Sequence, residues 1–289
     1  MVGNEFFSRG AEPLPRVLRV HAAFSIGLLS SATDAAARLS AAARDRAVVV
    51  PCSSVEELTA AITVGTVALT VVELRGNRAA DMCRAIRQLQ TLFPEQPVVA
   101  WTDLRDLPTA TLLEMAALRV ADVIRGDEEY LPMALSRAIG AALQRTVSRR
   151  IAQAVGDCFP RRLVPVFEYV LEHVNDQLDR DQLAAVFGIS RRTLHNRLTE
   201  AGLPPTRAFL TWCKLFVAVA LLEQPGYTLD SVAGQLDYSD GSVLANLLRR
   251  YVGTGISGLR PHGALAVAAR VFREQVEAAR NGVAPALEP

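Results

Sequence analysis

From Arg16 to about Val147 the chain alternates between two rhythms: short runs rich in β-branched residues, and stretches whose apolar residues return every third or fourth position. The pairs are Val17 to Val20 with Ala35 to Ala43, Val48 to Val50 with Val55 to Val64, Ala68 to Leu74 with Ala79 to Leu92, Val98 to Thr102 with Ala110 to Leu118, and Ala121 to Ile124 with Leu131 to Val147. A strand followed by a helix, repeated in series, predicts an α/β domain of the flavodoxin-like (βα)5 kind, with a parallel sheet covered on both faces. Runs such as Ala47-Val48-Val49-Val50 show no polar alternation, as a strand with no wet face requires.

Beyond Val147 the strand-like runs stop. Ser148-Arg149-Arg150 and Asp157-Cys158-Phe159-Pro160-Arg161-Arg162 form a charged stretch with a helix-stopping proline, and every later pattern is helical: Leu163 to Asp176, Arg180 to Val186, Arg191 to Ala201, Thr206 to Glu223, Leu229 to Leu236, Gly241 to Val252, and Ala264 to Arg280. The predicted organisation is an α/β domain at 13–147, a linker at 148–162, an all-α domain at 163–262, and a terminal helix with a frayed tail at 263–289.

Within the all-α half, the segment Asp181 to Leu198 reads as helix, turn, helix. Gly188 supplies the turn, Ser190 caps the second helix, Ala184 is small enough for a close crossing, and Ile189, Leu194 and Leu198 take the buried side. That leaves Ser190, Arg191, Arg192, His195, Asn196 and Arg197 on the exposed side, donors suited to base edges and phosphates. An ordinary helical hairpin with a solvated arginine face is the competing reading of this motif alone. The pattern then recurs from Thr228 to Gly253, with Ala233 matching Ala184, Asp237 matching Gly188 and Ser239 matching Ser190. The apolar helix Phe209 to Leu222 lies between the two.

On these residues the segment from roughly Leu163 to Arg260, about a third of the chain, resembles the AraC-type DNA-binding domain. The resemblance implies two helix-turn-helix units on a linker helix, with recognition helices in successive major grooves roughly 34 Å apart. It assigns the second set of contacts to Ser239, Asp240, Ser242, Asn246, Arg249 and Arg250. Departures from the family pattern are Asp237 for the turn glycine, Asn246 for a basic residue, Leu244 and Leu248 for phenylalanines, Ile256 for proline and Leu259 for tyrosine; the linker helix keeps Lys214 alone. The first unit is therefore expected to read bases, and the second to grip backbone through Arg249 and Arg250.

The strand ends of the α/β half resemble those of a response-regulator receiver domain. Glu73 stands where that family has its phosphoacceptor Asp, Thr102 at its switch residue and Arg125 at its Lys; His21 follows the first predicted strand. The acids that hold Mg²⁺ after that strand are absent from Leu18 to Ala23, so a hard divalent ion lacks its oxygen ligands and no metal or cofactor is expected. Glu73 paired with Arg125 would imitate a permanently charged state; a surface carboxylate at a strand end is the other reading. The stripe Leu131, Leu135, Ala138, Ile139, Ala142 and Leu143 suggests a receiver-like domain used for dimerisation or signal input.

Composition narrows this further. A formal charge of +1 excludes a strongly basic field, and Lys214 is the single lysine among 31 basic residues. From Arg180 to His262, however, nine arginines and lysines face six acids, which predicts a weak, salt-sensitive grip on DNA. Cys52, Cys83, Cys158 and Cys213 form no C-x-x-C pair, no signal-peptide pattern opens the chain, and the longest apolar run, Leu215 to Leu222, is too short to span a bilayer. A cytoplasmic protein is expected. G-x-G-x-x-G, Walker and G-x-S-x-G motifs are absent, so the expectation is a regulator and not an enzyme. Its expected partners are double-stranded DNA, a second copy of itself and the transcription machinery, with no membrane. The alternative is a protein interaction adaptor on a degenerate DNA-binding scaffold.

Overall fold

The computed structural model describes residues 24–282 except 104, 106, 127–129, 225 and 260–262. Two compact units divide them, one of 24–150 and 220–231, the other of 151–219 and 232–282.

In the first unit five parallel strands, β1 (Phe24–Leu29), β2 (Ala47–Cys52), β3 (Leu69–Leu74), β4 (Val98–Thr102) and β5 (Asp122–Arg125), pair in the order β2-β1-β3-β4-β5. This is the flavodoxin-like order that the alternating pattern predicts. All six residues of central β3 are buried, whereas β2 lies at an edge, where Val48 is exposed and Pro51 costs no ladder bond. The helices are α1 (Ala35–Ala43), α2 (Val55–Thr63), α3 (Ala79–Leu92), α4 (Thr109–Ala116) and α5 (Leu131–Val155). Leu58 of α2 and Cys83, Ile86 and Leu89 of α3 share one apolar cluster with Leu29, Val72 and Ala100 of the sheet, and Leu112 and Met115 of α4 pack against it. Gly27 of β1 lets α2 come close: a Cβ there would lie 2.6 Å from Cδ1 of Leu58 and 3.0 Å from Cγ1 of Val67.

The first strand differs from expectation. Val17 to Val20 and His21 lie outside the described residues, and β1 begins only at Phe24, so His21 precedes that strand in the chain instead of following it. Ser25 and Gly27 interrupt the apolar run of β1, so the strand does not read as a β-branched stretch.

Two further expectations fail on α5. The helix runs to Val155 and so covers half of the segment read as a linker. Arginine is a good helix former, and Val147, Ile151 and Val155 continue the apolar stripe one turn at a time, each fully buried. The stripe from Leu131 to Leu143 is itself buried in the protomer, Leu131, Leu135, Ala138, Ile139, Ala142 and Leu143 each having at most 4% exposure, so it covers the protein's own core and offers none of these residues to a partner.

The second unit is helical: α6 (Val164–Glu172), α7 (Arg180–Val186), α8 (Arg191–Glu200), α9 (Thr206–Leu222), α10 (Leu229–Gln235), α11 (Gly241–Val252), the single turn α12 (Ile256–Leu259) and α13 (Ala264–Arg280). Its centre is aromatic. Phe272 of α13 lies 5.2 Å from Trp212 and 5.3 Å from Phe216 between ring centroids, and Phe159 stacks on Phe167 at 4.1 Å. Trp212 also meets Tyr251 of α11 edge to face at 5.6 Å. The terminal helix is thus part of the core of the helical unit, although its sequence boundaries, Ala264–Arg280, read as those of a separate appendage. Arg280 fastens its end by donating to the carbonyls of Ala201 and Cys158 at 3.0 and 2.6 Å. Among the described residues no helix is long and apolar enough to cross a membrane.

Candidate nucleic-acid interface

The first helix-turn-helix is built from local bonds. Asp179 caps α7 in a capping box with Gln182, Gly188 makes the turn at φ 61°, and Ser190 caps α8 by accepting from the amide of Thr193 at 3.0 Å. Leu183 and Ala184 of α7 and Leu194 and Leu198 of α8 are buried, which fixes the rotation of α8. Arg191, Arg192, His195, Asn196 and Arg197 are consequently exposed, as is Ser190. One of these cations has a prior engagement: Nε of Arg191 lies 2.7 Å from Asp181 of α7, leaving Arg192 and Arg197 as the cations of this face without a described ion pair.

The second unit follows the same plan with one change. Asp237 holds the left-handed turn at φ 64°, and Gln177 donates to its carboxylate. The cap of α11, however, is Asp240 and not Ser239: its Oδ1 accepts from the amides of Ser242 and Val243 at 2.8 and 3.1 Å and from the hydroxyl of Ser242, while Ser239 donates to Oδ2. These bonds, the Ser242 hydroxyl foremost, hold the Asp240 carboxyl below its ordinary range, so it stays ionised. The turn is one residue longer than the first. Leu244 and Leu248 therefore occupy the buried places of Leu194 and Leu198, and Asn246 stands where α8 has Asn196. Ser239, Asp240, Ser242, Asn246, Arg249 and Arg250 are all exposed, and so is Val243, whose side chain carries no donor and so gives no such signal in the sequence.

Lys214 of α9 does not face outward as a free cation. Its ammonium donates to the carbonyl of Leu236 at 3.2 Å, beside the end of α10, and lies 5.5 Å from the ring of Tyr238. Burial lowers its pKa from the ordinary lysine value. It braces the second turn, neutralising carbonyls at a helix C-terminus. Burial likewise pushes the Tyr238 phenol up to about 12.

At the strand ends of the sheet unit, Glu73 is buried at 7% exposure and accepts from the hydroxyl of Ser30, the residue after β1. Its cationic partner is Arg38 of α1, whose Nη1 lies 3.8 Å from Oε1, and not the expected Arg125. Arg125 pairs in register with Thr102 on β4, so it stands a full strand beyond the neighbour of Glu73, and it is exposed. The Arg38 guanidinium also donates to the carbonyl of Gly126 at 3.3 Å and lies 4.8 Å from the ring of Trp101. Thr102 donates to the carbonyl of Leu74 at 2.9 Å. Arg38, Glu73, Leu74, Arg75, Trp101, Thr102, Asp103 and Gly126 line a cavity of about 200 Å³. Arg38 had a signal in the sequence, as the one charged residue of an alanine-rich helix. The Mg²⁺ that a receiver resemblance implies does not fit these residues: Ser30 and Ser31 follow β1, the buried carboxylate already faces a guanidinium, and no described cluster of three His, Cys, Asp or Glu could hold a metal.

Comparison with known proteins bears on the helical unit. A family model described as a helix-turn-helix domain matches residues 183–261. No curated protein matches the chain. Similar solved structures include the RcsB response regulator of Salmonella typhimurium, with 14% identity over 65% of this chain and 98% of that one, at a TM-score of 0.34. Full-length FixJ from B. japonicum has 14% identity, covering 78% of this chain and 96% of its own, at a TM-score of 0.33. NtrX from Brucella abortus, in complex with ADP, has 10% identity over 92% and 84%, at a TM-score of 0.39. The family match spans the two turns and both exposed helices described above, so residues 183–261 are similar to a helix-turn-helix domain of the AraC type.

Proposed function

We propose that the chain is a sequence-specific transcription regulator that places α8 and α11 in successive major grooves of double-stranded DNA. The observation that carries this reading is the repetition of one design: in each unit a capped helix buries two leucines four residues apart and turns a polar face outward. Such a helix meets base edges with its N-terminal half and phosphates with its flanks. Arg192 and Arg197 supply the forked donors of α8, with His195 and Asn196 between them, and Arg249 and Arg250 stand at the far end of α11. Protection of a defined footprint on selected genomic fragments tests this. Arg192→Ala with Arg197→Ala is expected to abolish the footprint, each lost contact weakening binding by about 1 to 3 kcal/mol; an unchanged footprint refutes the assignment.

In the same proposal the sheet unit is a receiver-like module that works without phosphorylation, for dimerisation or signal input. The support is Glu73, a buried glutamate at the position of a phosphoacceptor, already held by Ser30 and Arg38. Leu113 and Met133, each over two-thirds exposed, supply apolar surface for a second copy in place of the buried α5 stripe. Acetyl phosphate or beryllofluoride with Mg²⁺ is expected to leave DNA affinity and sedimentation unchanged. A several-fold gain in affinity with either reagent refutes phosphate independence.

A further inference from the structure

The two recognition helices differ in charge where they would touch bases. Aligned on their buried leucines, Arg192, His195 and Arg197 of α8 face Ser242, Ala245 and Leu247 of α11. The cations of α11, Arg249 and Arg250, come only in its last turn. Its first two turns present Ser242, Val243 and Asn246. The Ser242 hydroxyl is committed to Asp240, and the Asp240 carboxylate has spent its lone pairs on two amides and two hydroxyls. What remains is Val243, an exposed branched apolar side chain, and the Asn246 amide one turn further on.

Base-edge chemistry selects a partner for that pair. Guanine shows two acceptors, N7 and O6, in the major groove, and a fixed anion at the helix start repels them. An A·T pair shows an N7 acceptor, an N6 donor and the thymine methyl. The Asn246 amide can match the first two bidentately, its nitrogen donating to N7 and its oxygen accepting from N6. Arg249 donates to Oδ1 of Asn246 at 3.0 Å, which occupies one lone pair, leaves the other and fixes which end of the amide is the acceptor. Val243 offers the apolar contact that a thymine methyl requires.

We infer that α11 is an A·T reader, Asn246 recognising adenine and Val243 a thymine methyl, while α8 takes guanine through its arginines. The operator is then asymmetric within one protomer's site, with a guanine-bearing element and an A·T element about one helical turn apart. This rests on the proposal that both helices enter the major groove.

Selection from random duplex DNA with the full chain, followed by replacement of thymine with deoxyuridine in the second element, tests it. Deoxyuridine lacks only the methyl, and its loss is expected to weaken the wild type about fourfold and to leave Val243→Ala unaffected. Asn246→Ala is expected to lose roughly fivefold or more and to accept any base at its position, with thermal unfolding unchanged. If no sequence is enriched, the DNA-binding reading itself fails. If sites are enriched but the second element is G·C, or deoxyuridine costs Val243→Ala as much as the wild type, α11 is not an A·T reader and the regulator reading stands.

Discussion

Asp240 does two jobs that the sequence does not separate. As the cap of α11 it satisfies two amides that have no partner inside the helix, and as a fixed anion it sets the polarity of that helix's leading end. Because its hydrogen bonds hold the carboxyl below its ordinary range, the unfolded chain takes up this proton first as the pH falls. Its contribution to stability is therefore complete above the ordinary aspartate range and disappears as acid titrates the folded group. The melting temperature of Asp240→Asn is expected to lie below that of the wild type at neutral pH, and the gap to close toward pH 3; a gap that does not change with pH would show that the charge is immaterial. The sequence did show a serine and an aspartate in front of α11, each a good cap, but not which would cap. That choice depends on the length of the turn, and the turn is set by where Leu244 and Leu248 find the core. Glu73 was legible as a strand-end carboxylate for the same reason that its partner was not: a strand end follows from local pattern, whereas Arg38 reaches it from a helix on another element.

At the level of elements, periodicity located helices well and their partners poorly. The apolar spacing of α13 gave its ends, Ala264–Arg280, yet nothing in a single helix says that Phe272 will sit among Trp212, Phe216 and Phe159. The helix thereby becomes a condition for the fold of the helical unit. Phe272→Ala is expected to cost about 3 to 5 kcal/mol, read as a fall in the denaturant midpoint of the helical unit, and a helical fragment of residues 151–262 is expected to show no cooperative unfolding transition. A fragment that melts cooperatively would mean that the aromatic cluster closes without α13. The linker expectation failed in the complementary way. A charged Ser-Arg-Arg triplet reads as a break on composition, but Val147, Ile151 and Val155 keep the helical period through it, and period prevailed.

For the whole molecule, a formal charge of +1 leaves no long-range field to gather DNA. Binding must come from a few placed guanidinium groups, so its salt dependence should be moderate: two to four phosphates neutralised per protomer correspond to a slope of about −2 to −4 in log affinity against log salt. A slope near zero would remove phosphate contact from Arg192, Arg197, Arg249 and Arg250, and one near −10 would require cations that these helices do not carry. Sedimentation at rising protein concentration, with and without Met133→Glu, tells whether two such weak grips are joined in one particle.

The longer second turn carries a consequence for anyone exchanging specificity between the two helices. Each residue advances an α-helix by about 100°, so a graft that follows the turn residues, Gly188 onto Asp237, arrives on the wrong side of α11. Arg192 transplanted at Gly241 would point into the protein, where a glycine is buried; at Ser242 it would face solvent. The leucines, not the turn, are the ruler by which the two readers can be compared or recoded.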